Sequence, residues 1–204
     1  MLMAFIGDMQ TKGEQMEQRY LQLHNIETRN DTETNEMHLV GFFARYDDTY
    51  QVWDGVTESI APGAFANSIN GDVRALYNHN TDLVLGRTSA GTLKLEDRPE
   101  GLWGDITLNP KDTEALNVYE RTKRGDVSGC SFGFEIEKEE RSVSDDGSVH
   151  YTILSVNPLY EISLTPFPAY EATHVEARHT GEENIKKREH DEWVVRMMSK
   201  LKGE

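Results

Sequence analysis

Covalent attack on a carbonyl carbon needs a hydroxyl or thiol nucleophile, a base to take its proton, and an acidic group to hold that base and stabilise its charged form. The residues of this 204-residue chain that could supply the three parts are Ser131, His79 and Glu161. Of its seven histidines, His24, His38 and His150 lie on or near strand-like stretches without distinctive surroundings. His174, His179 and His190 fall late in the chain among charges, whereas His79 ends the compact apolar stretch DVRALYNH (72–79). Ser131 and Glu161 stand fifteen residues either side of Asp146, and Asp146-Gly147 is a hairpin signal. In a regular antiparallel hairpin centred there, the two face each other on one side of the sheet. Ser128 and Cys130 are odd numbers of residues from Ser131, so in a regular strand they point the other way. A bulge at Asn157-Pro158 would change this parity. Spacing alone favours ordinary roles: a hydrogen-bonded histidine at a strand end, a small residue in a glycine-flanked strand, and an exposed edge-strand carboxylate.

The elements that must position these residues are mostly strands. Residues 1–18 read as a leader with no sustained period, followed by a strand-like stretch at 19–28. MHLVGFFARYDDTYQVWDG (37–55) is rich in β-branched and aromatic residues and predicts strand, bend, strand. A one- or two-turn helix is expected between Pro62 and Gly71. Residues 83–87, 92–96 and 102–108 predict three short strands forming a meander in a barrel or sandwich. Pro110 to Arg124 predicts a helix, capped by Asp112 or Thr113 and ended by Gly125. Residues 127–137 and 149–165 form the arms of the long hairpin, and Pro166 and Pro168 stop the second. Glu182 to Leu201 carries Val194, Met197, Met198 and Leu201 at helical spacing, predicting an amphipathic tail helix that could dock on another chain. The fold class expected is mainly β with a few helices (α+β): a leader at 1–18, a domain at 19–178 and a helical tail at 179–204.

Composition narrows the function classes. Lys and Arg number 21 against 36 Asp and Glu, a formal charge of −15 that repels phosphate backbones and anionic lipid heads. Residues 181–204 hold equal numbers of acids and bases, so the whole excess lies on residues 1–180. Nucleic-acid and membrane partners are therefore disfavoured. With Cys130 the single cysteine, the chain can form no internal disulfide and offers no cysteine cluster for zinc, and a buried small hydrophobe is the ordinary reading of that thiol. No run is apolar enough for a bilayer span and no export signal is legible at Met1 to Ile6.

Four blocks carry a resemblance. IAPGAF (60–65), VRALYNHN with VLGRTSAGTLKLED (73–80 and 84–97), RGDVSGCSFGFEI (124–136) and LYEISLTPFPAYEA (159–172) resemble the prohead maturation proteases of tailed bacteriophages, serine proteases considered distant relatives of the herpesvirus assemblins. The resemblance covers about residues 20–178 in order and approximate spacing. It implies a compact β-barrel wrapped by a few helices, working without a cofactor inside the immature capsid in the host cytoplasm. It also implies cleavage of scaffold protein, major capsid protein N-terminal segments and, as an option, the enzyme itself. By this resemblance His79 is the catalytic histidine, Ser131 the nucleophile before Phe132-Gly133-Phe134, and Glu161 the acidic third member. The assemblins carry arginines after the third triad residue, and the stretch 162–175 has none, which leaves Arg87 as a substitute or a plain surface charge. Assemblins act as dimers, so a homo-oligomer is expected. The competing reading is a non-catalytic β-barrel that binds capsid or scaffold protein as an assembly factor.

Overall fold

The computed structural model describes residues 17–21, 26–30, 36–46 and 48–166. The leader before residue 17, the stretch after Pro166 with the expected tail helix, and His24, His174, His179 and His190 lie outside them. The described chain runs β1 (Glu17–Leu21), β2 (Glu27–Asn30), β3 (Met37–Arg45), β4 (Tyr50–Trp53), β5 (Val56–Ile60), β6 (Arg74–Tyr77), β7 (Asn80–Arg87), β8 (Leu93–Arg98), β9 (Gly101–Leu108), α1 (Thr113–Arg124), β10 (Gly129–Val143) and β11 (Val149–Thr165). A short 3₁₀ turn at Thr88–Ala90 links β7 to β8.

The strands divide into two sheets, in place of the closed barrel expected from the resemblance. The smaller has the order β2-β3-β9-β8, and the larger is built on β1-β10-β11-β5-β4 with β6 and β7 joined to it. The long strand β11 organises the larger sheet. One edge pairs with β10; the other takes β5 along Val149–Ile153 and then β6 along Glu161–Leu164, both parallel to it. From Glu161 to Thr165 every residue of β11 is buried, the pattern of a strand covered on both faces. The expected meander is split between the sheets, since β7 pairs with β6 while β8 and β9 pair with each other and β9 with β3.

The core lies where the sheets meet. Leu39, Phe43, Leu102 and Ile106 of the smaller sheet share one apolar cluster with Phe132, Phe134, Ile162 and Leu164 of the larger. On β10 the alternating residues Cys130, Phe132 and Phe134 join this cluster. Phe132 meets Phe65 edge-on at 5.5 Å between ring centroids and Phe134 at 4.8 Å. Burying each of these side chains contributes about 1.5–3 kcal/mol. Helix α1 adds Ala115, Val118 and Tyr119 to the cluster. The Asp112 carboxylate accepts from the N–H groups of Glu114 and Ala115 at 3.0 and 3.3 Å, a cap worth about 1 kcal/mol. Gly125, at φ 91°, closes the far end by donating to the carbonyls of Arg121 and Thr122.

The expected helix between Pro62 and Gly71 is instead a succession of turns. Short-range bonds from Ala64 to Ala61, Ala66 to Gly63, Ser68 to Phe65 and Gly71 to Ser68 replace a helical ladder. The segment still sinks Ala64 and Phe65 into the core, so its apolar residues are used as anchors rather than as a helix face.

Candidate active site

His79 does not end a strand. It sits in the tight turn of the β6–β7 hairpin, where Tyr77 pairs with Asn80 and only Asn78 and His79 lie between. Both turn residues have positive φ, 53° and 57°, as a two-residue turn matching the right-handed strand twist requires. Asparagine tolerates this region; histidine in place of the usual glycine costs about 1–2 kcal/mol. That strain is held by β11: the Asn78 N–H donates to the Leu164 carbonyl at 2.9 Å, and the His79 N–H to the Ser163 hydroxyl at 3.2 Å.

The imidazole lies against a carboxylate of the same strand. His79 Nδ1 is 2.8 Å from Glu161 Oε1, and the Ser163 hydroxyl donates to Glu161 Oε2 at 2.5 Å. The side chains of His79 and Glu161 are 13% and 7% exposed, so water screens their interaction little. Glu161 is thus an interior carboxylate on a central strand, with both oxygens engaged, and not an edge residue.

The hairpin brings Ser131 to the same place by a register different from the expected one. Pairing at the tip is symmetric about Asp146, with Val143 opposite Val149 and Glu139 opposite Ile153. Register shifts between Gly133 and Glu139 then admit extra residues on β11, so Ser131 faces Ser163 and Glu161 faces Gly133. The net offset from the expected Ser131–Glu161 pairing is two residues, and an even offset preserves faces. Ser131, Glu161 and Ser163 therefore share one side of the sheet. β10 flanks β11 on one side and the β6–β7 hairpin on the other, so Ser131 and His79 approach the Glu161–Ser163 pair from opposite sides of that strand.

The other nucleophile candidate faces away. Cys130 is fully buried in the apolar core, and desolvation pushes its thiol well above the ordinary cysteine value, which suppresses the reactive thiolate. Nor do the other described histidines compete. His38 Nδ1 is 2.7 Å from Asp105, and its Nε2, the nitrogen a nucleophile would need, faces Glu36 at 3.7 Å. His150 lies between the hydroxyls of Thr57 and Ser59 at 2.8 and 2.9 Å, near the opposite end of β11. Arg87 pairs with Arg74 at the end of the hairpin remote from His79, and its guanidinium grips Asp72 through Nε and a terminal nitrogen at 2.8 and 2.5 Å on the surface. Its guanidinium is thus engaged by Asp72 at the surface, as the surface reading of Arg87 expects. Among the described residues, no group of three His, Cys, Asp or Glu side chains is placed to hold a metal ion.

Ser163 is the member of this cluster that spacing did not single out. Its position two residues after Glu161 puts it on the same face of β11, which is the signal that could have found it.

The family model for the caudovirus prohead serine protease matches residues 24–188, most of the chain and every residue of the cluster. The chain belongs to this family. The prohead protease of Enterobacteria phage HK97 is 28% identical over 141 residues, 67% of this chain and 60% of that protein, so the match spans less than two thirds of the relative's length. Among solved structures, the capsid assembly protease of bacteriophage T4 aligns over 74% of this chain and 96% of its own at 10% identity, with a TM-score of 0.42. Family membership gives the strained histidine turn and its buried carboxylate a chemical context, since a serine peptidase needs a base for its nucleophile and His79 lies against the buried carboxylate of the strand that pairs with Ser131.

Proposed function

We propose that this chain is a serine endopeptidase of capsid maturation in which Glu161 orients His79 and His79 activates Ser131. The observation that carries the reading is the 2.8 Å contact from His79 Nδ1 to a buried Glu161 oxygen, on the face of β11 that Ser131 shares. An Nδ1–H donated to the carboxylate leaves Nε2 as the basic nitrogen. Nε2 takes the Ser131 proton as Oγ attacks the peptide carbonyl, and the imidazolium formed is stabilised by the Glu161 charge. Collapse of the tetrahedral intermediate delivers that proton to the leaving amine, and water, deprotonated in turn by His79, releases the acyl group. The strain at His79 fits this role, since backbone outliers cluster where a side chain must be aimed.

The substrates proposed are scaffold protein and the N-terminal segment of the major capsid protein, cut inside the immature shell. The test is co-production of the chain with capsid and scaffold proteins, followed by mass spectrometry of all termini. New internal termini should appear with the wild-type chain and vanish with Ser131→Ala. Cleavage at the same sites by Ser131→Ala removes the nucleophile assignment, and intact proteins in both cases favour the non-catalytic assembly factor.

A further inference from the structure

We propose that Ser163 is a positioning residue of this site, one hydroxyl that holds both the Glu161 carboxylate and the turn carrying His79. The inference rests on the catalytic reading of His79 and Glu161 and deepens it.

A serine hydroxyl offers one donor and two acceptor lone pairs. Ser163 uses the donor on Glu161 Oε2 at 2.5 Å and accepts the His79 peptide N–H at 3.2 Å, in a position with no solvent exposure. Each bond fixes a different degree of freedom. The terminal torsion of a glutamate is broad, so a carboxylate held only through Oε1 can swing about that contact. A second bond at Oε2 sets the plane of the group and hence the direction from which His79 Nδ1 must approach. The bond from the His79 N–H fixes the backbone from which the imidazole projects, in a turn whose positive φ values would otherwise relax. The two partners of the His79–Glu161 contact come from segments with no covalent connection near the site, and Ser163 Oγ touches both. It also lies directly opposite Ser131 on β10, so one strand position sets the spacing of all three groups.

The experiment measures the rate at which a fluorophosphonate probe labels Ser131 in the full chain, with the site of labelling mapped by peptide mass spectrometry. It reports activation of the nucleophile without needing a known cleavage sequence. Ser163→Ala and the near-isosteric Ser163→Cys should slow labelling about 10- to 100-fold, the scale on which loss of a hydrogen bond that orients a metal-ligating side chain acts. Ser163→Thr, which restores a hydroxyl, should return the rate to within a few-fold of wild type, with melting temperatures of the variants showing that the fold is retained. Wild-type rates in both Ser163→Ala and Ser163→Cys, while His79→Ala is unreactive, overturn the Ser163 assignment alone. So do a Ser163→Thr protein as slow as Ser163→Ala at equal stability, and probe found on Ser163 itself. A His79→Ala protein that labels at the wild-type rate overturns the reading of the whole site, and the role of Ser163 with it.

Discussion

Replacing Glu161 by glutamine isolates the charge of the third group from its shape. In the wild-type chain Oε1 meets His79 Nδ1 at 2.8 Å and Oε2 receives the Ser163 hydroxyl. Glutamine can keep both contacts, with its oxygen toward Nδ1–H and its NH₂ toward the second lone pair of Ser163 Oγ. What it cannot supply is attraction for the imidazolium formed as Ser131 loses its proton. Both side chains are nearly closed to water, so an effective dielectric near 20 is appropriate. With charge centres about 4 Å apart, the lost attraction is about 4 kcal/mol. At 1.36 kcal/mol per decade, that is about a thousandfold in kcat. Should the amide turn the other way and force the wrong imidazole tautomer, the loss approaches about 10⁴. The assay is kcat on a peptide spanning a cleavage site mapped as above, with the melting temperature measured on the same preparation. A folded Glu161→Gln protein within tenfold of wild-type kcat refutes the claim that this carboxylate stabilises the charged base.

Other parts of the structure make separate predictions. Cys130 is fully buried with its thiol pushed up by desolvation, so iodoacetamide should leave it unmodified and activity intact until denaturant is added; rapid labelling of the native chain contradicts its placement in the core. A Cβ at Gly104 would lie 2.8 Å from Phe43 Cε2 and 3.3 Å from Ile162 Cδ1, so Gly104→Ala should destabilise the fold by about 1–3 kcal/mol in denaturant titration. The Asp72 carboxyl is held below its ordinary value chiefly by hydrogen bonds from Arg87 and then Ser89. Its stabilising effect is therefore present above the unfolded value near about 4 and lost as pH falls through the lower folded one. Asp72→Asn should flatten the acid-side decline in melting temperature, and an unchanged profile shows that the ion pair adds nothing. Arg87→Ala should leave kcat unchanged, since its guanidinium is engaged by Asp72 at the surface and not by the His79–Glu161 pair.

Local chemistry was legible in the sequence where a residue type answers a local demand. Asp112 and Gly125 mark the ends of α1 because an orphan N–H needs an acceptor and a terminal turn needs positive φ. Asp146-Gly147 marks the hairpin tip for a similar reason. The His79 turn escaped notice because its signal is normally Asn-Gly or Asp-Gly; Asn78-His79 adopts the same geometry only with support from Leu164 and Ser163, 84 or more residues away in the chain. The strand order of the larger sheet was equally hidden. It follows from β11 accepting β5 and β6 in succession along one edge, a nonlocal choice that no periodicity within either strand records.

The hairpin register shows why the candidate site was nonetheless found with the wrong pairing. Irregularities between Gly133 and Glu139 move the partner of Ser131 from Glu161 to Ser163, a displacement of two residues. A displacement of one would have turned the faces over, setting Cys130 beside the Glu161 side and sending Ser131 into the apolar cluster with Phe132 and Phe134 removed from it. Burying those rings on the correct face contributes several kcal/mol, which penalises a net odd offset by the time the strand reaches Phe132 and Ser131. The core therefore selects the parity of the hairpin, and parity decides which side chain of β10 faces the His79–Glu161 pair. The apolar residues that pack Phe65 and Ile162 against β10 thus serve the chemistry of its opposite face.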